Sequence, residues 1–201
     1  MRAACITVPS RLNMLARTLA TFGSARFGIF ELDVFSDADM QGEYWNARRA
    51  LEFLWKSGTE YVMLIEDDCE FSPKAGAALA EFQRNFKVGC ISLATSRRDA
   101  QIITDRKLIS VHEGWVAVDW APYGTQCVVL SQDMLSEILD ADFWRTGAET
   151  LDLHMFEVVL AQKESIWMHT PSLVHHTGWN NTTLQGKKPL TPELLEARRT
   201  C

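Results

Sequence analysis

The spacing of hydrophobic residues along this chain alternates between two periods. Cys5-Ile6-Thr7-Val8 is a short apolar run stopped by Pro9; Leu12, Leu15, Leu19 and Phe22 then recur at helical spacing, with Ser10 placed to cap the helix. Gly28 to Phe35 reads as a second strand, and Ser36-Asp37-Ala38-Asp39 as the polar loop at its carboxyl end. A second helix is expected from about Tyr44 to Lys56, ended by Ser57-Gly58. Tyr61-Val62-Met63-Leu64-Ile65 is apolar without a break, as a strand buried on both faces of a parallel sheet would be. It ends abruptly in Glu66-Asp67-Asp68.

Pro73 to Phe86 reads as a helix and Val88 to Leu93 as a strand, so the first half alternates strand and helix in the manner of an α/β sheet. The second half loses this rhythm. Residues 101 to 131 read as extended segments and turns with Trp115, Trp120 and Tyr123 interspersed, closing in a strand over Gln126 to Leu130. Helices over Gln132 to Leu139 and Leu151 to Gln162 precede a short strand at Ile166-Trp167-Met168. No internal repeat is visible, and the polar stretch from Gly178 onward reads as a tail.

Ligands of open α/β sheets collect at the carboxyl ends of the strands. Pro9-Ser10-Arg11, Ser36 to Asp39 and Glu66-Asp67-Asp68 all arrive at that edge, supplying a cation, hydroxyls and several carboxylates. A nucleotide diphosphate with a metal ion needs that mixture.

Composition narrows the class. The 201 residues, 47% of them hydrophobic, suffice for one domain with a continuous core, expected over residues 1–184 with a tail at 185–201. Charged residues make up 23% in both signs without long blocks, which excludes disorder beyond a terminal tail. No stretch approaches the roughly 20 apolar residues of a membrane span, and no signal-peptide core opens the chain, so a soluble, cytoplasmic protein is expected. Cysteines 5, 69, 90, 127 and 201 are scattered with no CxxC pair and read as small core residues. The net charge of −6 argues against a protein that coats nucleic acid, although Arg97-Arg98, Lys187-Lys188 and Arg198-Arg199 could form a local basic face.

Two segments carry a family resemblance. Tyr61 to Pro73, with Glu66-Asp67-Asp68 at its centre, resembles the strand and DxD-type motif of GT-A glycosyltransferases, here in Glu-Asp-Asp form. Pro171-Ser172-Leu173-Val174-His175-His176-Thr177-Gly178 is similar to the Pro-Ser-Leu-Val-Gln-His-x-Gly signature of several such families. Asn46-Ala47-Arg48-Arg49 resembles the Asn/Arg segment that often precedes the acidic strand, and the agreement in order covers residues 3 to 184. The resemblance implies a GT-A, Rossmann-like, three-layer α/β/α fold with a mixed, mostly parallel central sheet. It implies transfer of a sugar from a nucleotide-sugar donor, UDP being the common choice, to a hydroxyl acceptor.

The chemistry suits the residues. A sugar diphosphate carries two or more negative charges and its departure develops another, so a divalent cation must neutralise it. Mg²⁺ and Mn²⁺ prefer oxygen, and Mn²⁺ tolerates one imidazole. By the resemblance Asp68 is the direct metal ligand, Glu66 faces the ribose and Asp67 orients its neighbours. His175 and His176 point to opposite sides of an extended segment, and His176 matches the family's histidine, so it is the second ligand expected. Pro9, Arg11, Asp37, Asp39, Asn46 and Arg49 are the further donor-binding candidates, Arg11 toward phosphate and the two aspartates toward base and ribose. Inverting transfer needs a general base for the acceptor proton, and in the resembling families it opens the helix before the histidine motif. Asp152 occupies that place, with Glu149 as the reserve. Trp115, Trp120 and Tyr123 are candidates to stack on the acceptor, a saccharide or a hydroxymethylated base in DNA. Two other readings stand beside this one: an inactive sugar- or nucleotide-binding module, and a sugar nucleotidyltransferase, although no Gly-rich phosphate loop follows the first strand.

Overall fold

The computed structural model describes residues 1–28, 31–39, 41–146 and 151–177. Strands β1 (Arg2–Thr7), β2 (Glu31–Ser36) and β3 (Tyr61–Glu66) alternate with helices α1 (Leu12–Ala25) and α2 (Glu43–Trp55). A short strand β4 (Cys69–Phe71), helix α3 (Ala75–Asn85), strand β5 (Cys90–Ser92) and helix α4 (Arg97–Asp105) follow. The remainder comprises β6 (Trp115–Val118), β7 (Cys127–Ser131), α5 (Gln132–Asp140), α6 (Phe143–Thr146), α7 (Leu151–Ala161), β8 (Ile166–His169) and β9 (Val174–His176).

Seven strands form one sheet in the order β2-β1-β3-β7-β5-β8-β6, in which β7 and β6 run against the others. The continuous apolar runs are explained by burial on both faces. Ala4 and Ile6 of β1 and Val62 and Leu64 of β3 pack with Leu51 and Leu54 of α2, Leu135 of α5 and Phe156 of α7. Their alternate neighbours Ala3, Cys5, Met63 and Ile65 pack on the other side with Leu15 of α1 and Leu79 and Phe82 of α3. Three layers result, and each fully buried Leu or Phe contributes roughly 1.5–3 kcal/mol by leaving water. Gly76 is required where α3 meets the end of α1: a Cβ there would lie 2.3 Å from the Ala25 carbonyl oxygen. Cys5, Cys69, Cys90 and Cys127 are free and buried, and burial pushes their thiols up, so they act as core residues. None of the helices among the described residues is long and apolar enough to cross a membrane.

Local differences from the sequence reading have local causes. Ser10 caps nothing: Pro9–Arg11 forms a 3-10 turn, with proline at its favoured first position, and α1 begins at Leu12. β2 starts at Glu31, after Gly28 takes a left-handed φ of 64°. α4 occupies part of the stretch expected to be extended. Within it only Asp99 and Ile103 are buried, so it carries almost no apolar stripe, but Ser96 caps it by accepting from the Asp99 N–H.

Candidate active site

The acidic edge is built by two backbone pairings. β3 delivers Glu66 from the middle of the sheet, and the turn Asp67-Asp68 then leads into β4. β4 pairs antiparallel with β9 in the register Cys69↔His176 and Phe71↔Val174, which brings the histidine segment alongside the acids from more than 100 residues away in sequence. Thr177 fastens the end of this ladder, donating its N–H and its hydroxyl to the Asp68 carbonyl at 2.8 and 3.0 Å. His176 therefore faces Asp68, with Nε2 2.9 Å from Oδ2, while His175 alternates outward and is exposed.

One candidate ligand atom each from Glu66, Asp68 and His176 lies within 4.8 Å of the others. Asp68 is 2% exposed, and its Oδ1 is buried without a hydrogen-bond partner among the described residues. An orphaned carboxylate oxygen beside a second carboxylate and an imidazole fits a divalent cation such as Mn²⁺ or Mg²⁺, the donor set being mostly oxygen. The charges around it are unevenly balanced. Burial raises the Asp68 pKa, but the hydrogen bond and charge of His176, then Arg11, outweigh it and hold the carboxyl below its ordinary range. Glu66 is driven the other way: burial, then the charges of Glu43 and Asp68, raise it well above the ordinary value against the hydroxyl of Thr125, which donates to Oε1 at 2.7 Å.

Arg11 projects from the 3-10 turn toward the same acids, where it pairs with Asp67 Oδ1 at 3.1 Å and with Asp68 Oδ2. Asp67 is 1% exposed, and burial raises its pKa against the opposing pull of the Thr7 hydroxyl, 2.6 Å from its Oδ2, and of Arg11. Asp152 opens α7 and accepts the Gly124 N–H on Oδ2 and the Leu153 N–H on Oδ1, both at 2.9 Å. Its charge reaches both Glu66 and Glu43. Glu43, in the first turn of α2, was not marked by the sequence; the loss of water around its carboxyl, then the charge of Asp152, raise its pKa.

Other sequence candidates have structural partners instead. Asp37 is fully buried and accepts the N–H groups of Gln41 and Gly42, one on each oxygen, at 2.8 Å, so it shapes the loop into α2. Asp39 is exposed, as is Pro9. Asn46 is buried and donates to the carbonyls of Thr7 and Phe35, tying β1 to β2; Arg49 donates to Ser36 and Asn46 and stacks over Trp45 and Phe35. Both brace the strand ends from behind.

Trp115, a candidate acceptor platform, lies in the core. It is 1% exposed and stacked on Phe82 at 4.4 Å in the core. Trp120 is half-buried, its ring under Arg106 and its indole N–H on Asp99 Oδ1 at 3.2 Å. Tyr123 is 44% exposed, next to the glycine that holds Asp152. Asp99, missed by the sequence reading, is a buried carboxylate that also accepts the Tyr123 N–H and so carries this whole loop; the Ser96-x-x-Asp99 spacing was its one visible signal. Glu149 lies outside the described residues, as do Gly178 and the tail.

No protein-family model and no curated protein matches the sequence. Among solved structures the chain is similar to S. aureus TarS 1–349, with a TM-score of 0.57 at 9% identity over 89% of this chain and 61% of that one. The fold is of the GT-A, three-layer α/β/α type. The chain spans 61% of the TarS chain, and at this identity the likeness concerns architecture alone. A197 from STIV is a second similar structure, at a TM-score of 0.48 and 12% identity over 88% of this chain and 85% of that one.

Proposed function

We propose that this chain is a metal-dependent glycosyltransferase moving a sugar from a nucleotide-sugar donor, UDP-linked by preference, to a hydroxyl acceptor with inversion. The observation that carries the reading is the convergence of Glu66, Asp68 and His176 at the carboxyl edge of the sheet, with Asp68 Oδ1 buried and unpartnered.

Asp68 and His176 would hold the cation, which when bound neutralises the diphosphate leaving group. Glu66, steadied by Thr125, lies next to them, where it can accept from the donor's ribose hydroxyls. Asp67 stays behind, its oxygens committed to Thr7 and Arg11, and keeps the turn in shape. Asp152 takes the acceptor proton: two backbone N–H groups fix its carboxylate, and Tyr123 on the adjoining loop offers an exposed ring for the acceptor to lie against. The acceptor class favoured is a saccharide; hydroxymethylated DNA belongs in the same screen.

The test is nucleotide release from UDP-glucose and GDP-mannose in the presence of a saccharide panel and hydroxymethylated DNA, with Mn²⁺ and with EDTA. EDTA-sensitive release with one donor is expected. Release that ignores EDTA would refute the metal dependence, and binding of sugar without any turnover or metal dependence would replace this reading with that of a binding module.

A further inference from the structure

We infer that Arg11 is a resident counter-ion which holds Asp68 until a diphosphate draws it away, so that cation and diphosphate bind cooperatively; the inference rests on the donor-site reading above.

Asp68 Oδ2 receives two partners in this structure, the Arg11 guanidinium and His176 Nε2. A cation on the open Oδ1 of Asp68 and on His176 Nε2 would break the Nε2–Oδ2 contact and sit within a few ångströms of the fixed positive charge of Arg11. Arg11 and the cation therefore compete for one carboxylate. The competitor is built to leave. Its side chain is 20% exposed, and its Nε is buried without a hydrogen-bond partner among the described residues, so the guanidinium is incompletely satisfied where it lies. Its departure leaves each acid a partner: Asp67 keeps the Thr7 hydroxyl on Oδ2, and Asp68 exchanges Arg11 for the cation.

A diphosphate offers a guanidinium what a carboxylate offers, two oxygens in a plane, but with more negative charge. It would turn Arg11 from Asp68 to phosphate and free the carboxylate for the cation. By linkage each ligand then strengthens the other by one factor, and the part of that factor routed through Arg11 vanishes when Arg11 is replaced.

The experiment is a Mn²⁺ titration followed by the electron paramagnetic resonance of the free ion. The samples are wild type, Arg11→Met, Arg11→Lys and Asp68→Ala, each with and without UDP, or GDP if calorimetry selects it. In Arg11→Met, Mn²⁺ alone should bind about tenfold tighter, the order set by one charge-assisted hydrogen bond. UDP should bind more weakly, and the enhancement of Mn²⁺ affinity by UDP should shrink by about the same tenfold. Arg11→Lys keeps the charge but cannot bridge two carboxylates, so its enhancement should fall between the two; it carries the test if circular dichroism shows that Arg11→Met does not fold. An enhancement in both variants equal to wild type overturns the inference while leaving the donor site standing. Absence of Mn²⁺ binding in every protein, or binding by Asp68→Ala equal to wild type, removes the donor-site reading and the inference with it.

Discussion

Replacing Asp99 with alanine should both destabilise the protein and loosen the acceptor side of the proposed site without touching the metal side. The carboxylate is 1% exposed and accepts from the Ser96 hydroxyl at 2.5 Å, the Trp120 indole at 3.2 Å and the Tyr123 N–H at 3.2 Å. A net hydrogen bond to a charged group is worth about 1.5–3 kcal/mol, and the cost of burying the charge offsets part of the sum. About 3–4 kcal/mol should be lost, since two donors on the far loop are left without their acceptor. For a chain of 201 residues that corresponds to a fall in Tm of about 6–16 °C. Asp99→Asn, which keeps one acceptor oxygen, should lose about half as much. Urea unfolding followed by circular dichroism measures the first effect. Calorimetry of UDP with Mn²⁺ measures the second and should be unchanged, while KM for the acceptor rises. A loss under about 1 kcal/mol in Asp99→Ala would refute the assignment of this network, and a lost metal response would refute the separation of the two sides.

Three residues give further tests. Glu66 has a raised pKa, so the folded protein retains a proton that the unfolded chain loses above about 4.5; stability should fall as pH rises from there through the folded value. Glu66→Gln should therefore match wild type in Tm near pH 4.5, exceed it at pH 8, and show no such decline in a pH series of thermal melts. Trp115→Ala should cost about 3–5 kcal/mol through the cavity left beside Phe82, whereas Trp115→Phe should leave the acceptor KM unmoved; a large KM change would restore this residue to the site. Asp152→Asn should lower kcat by about a hundredfold to ten-thousandfold with donor binding retained. It should also cost about 1 kcal/mol, because one amide oxygen cannot serve both the Gly124 and the Leu153 N–H.

What the sequence made legible was what rests on short-range pattern. β3 could be read because burial on both faces demands an unbroken apolar run, and its end because three acids cannot continue it. The second motif could be paired with the first by resemblance, and the β4–β9 ladder shows the physical means, a register that sets His176 against Cys69. The roles of Asp37, Asn46 and Arg49 were not legible, because an acid, an amide and a guanidinium serve backbone groups as readily as a nucleotide, and only the fold reveals which. α4 was hidden by its polarity, and with it Asp99, whose partners lie 21 and 24 residues downstream. For Trp115 the sequence left core and acceptor platform both open, because a strand at the sheet edge, β6, can still bury Trp115, Val116 and Val118, the first against Phe82 of α3.

The central claim is that Asp68 organises a cation-dependent donor site, and calorimetric titration of UDP-glucose, UDP and GDP-mannose, each with and without Mn²⁺, into wild type and Asp68→Ala tests it most directly. One donor should bind in a Mn²⁺-dependent manner to wild type and lose that dependence in the variant. Donor binding that is the same with and without metal, or the same in Asp68→Ala as in wild type, would contradict it.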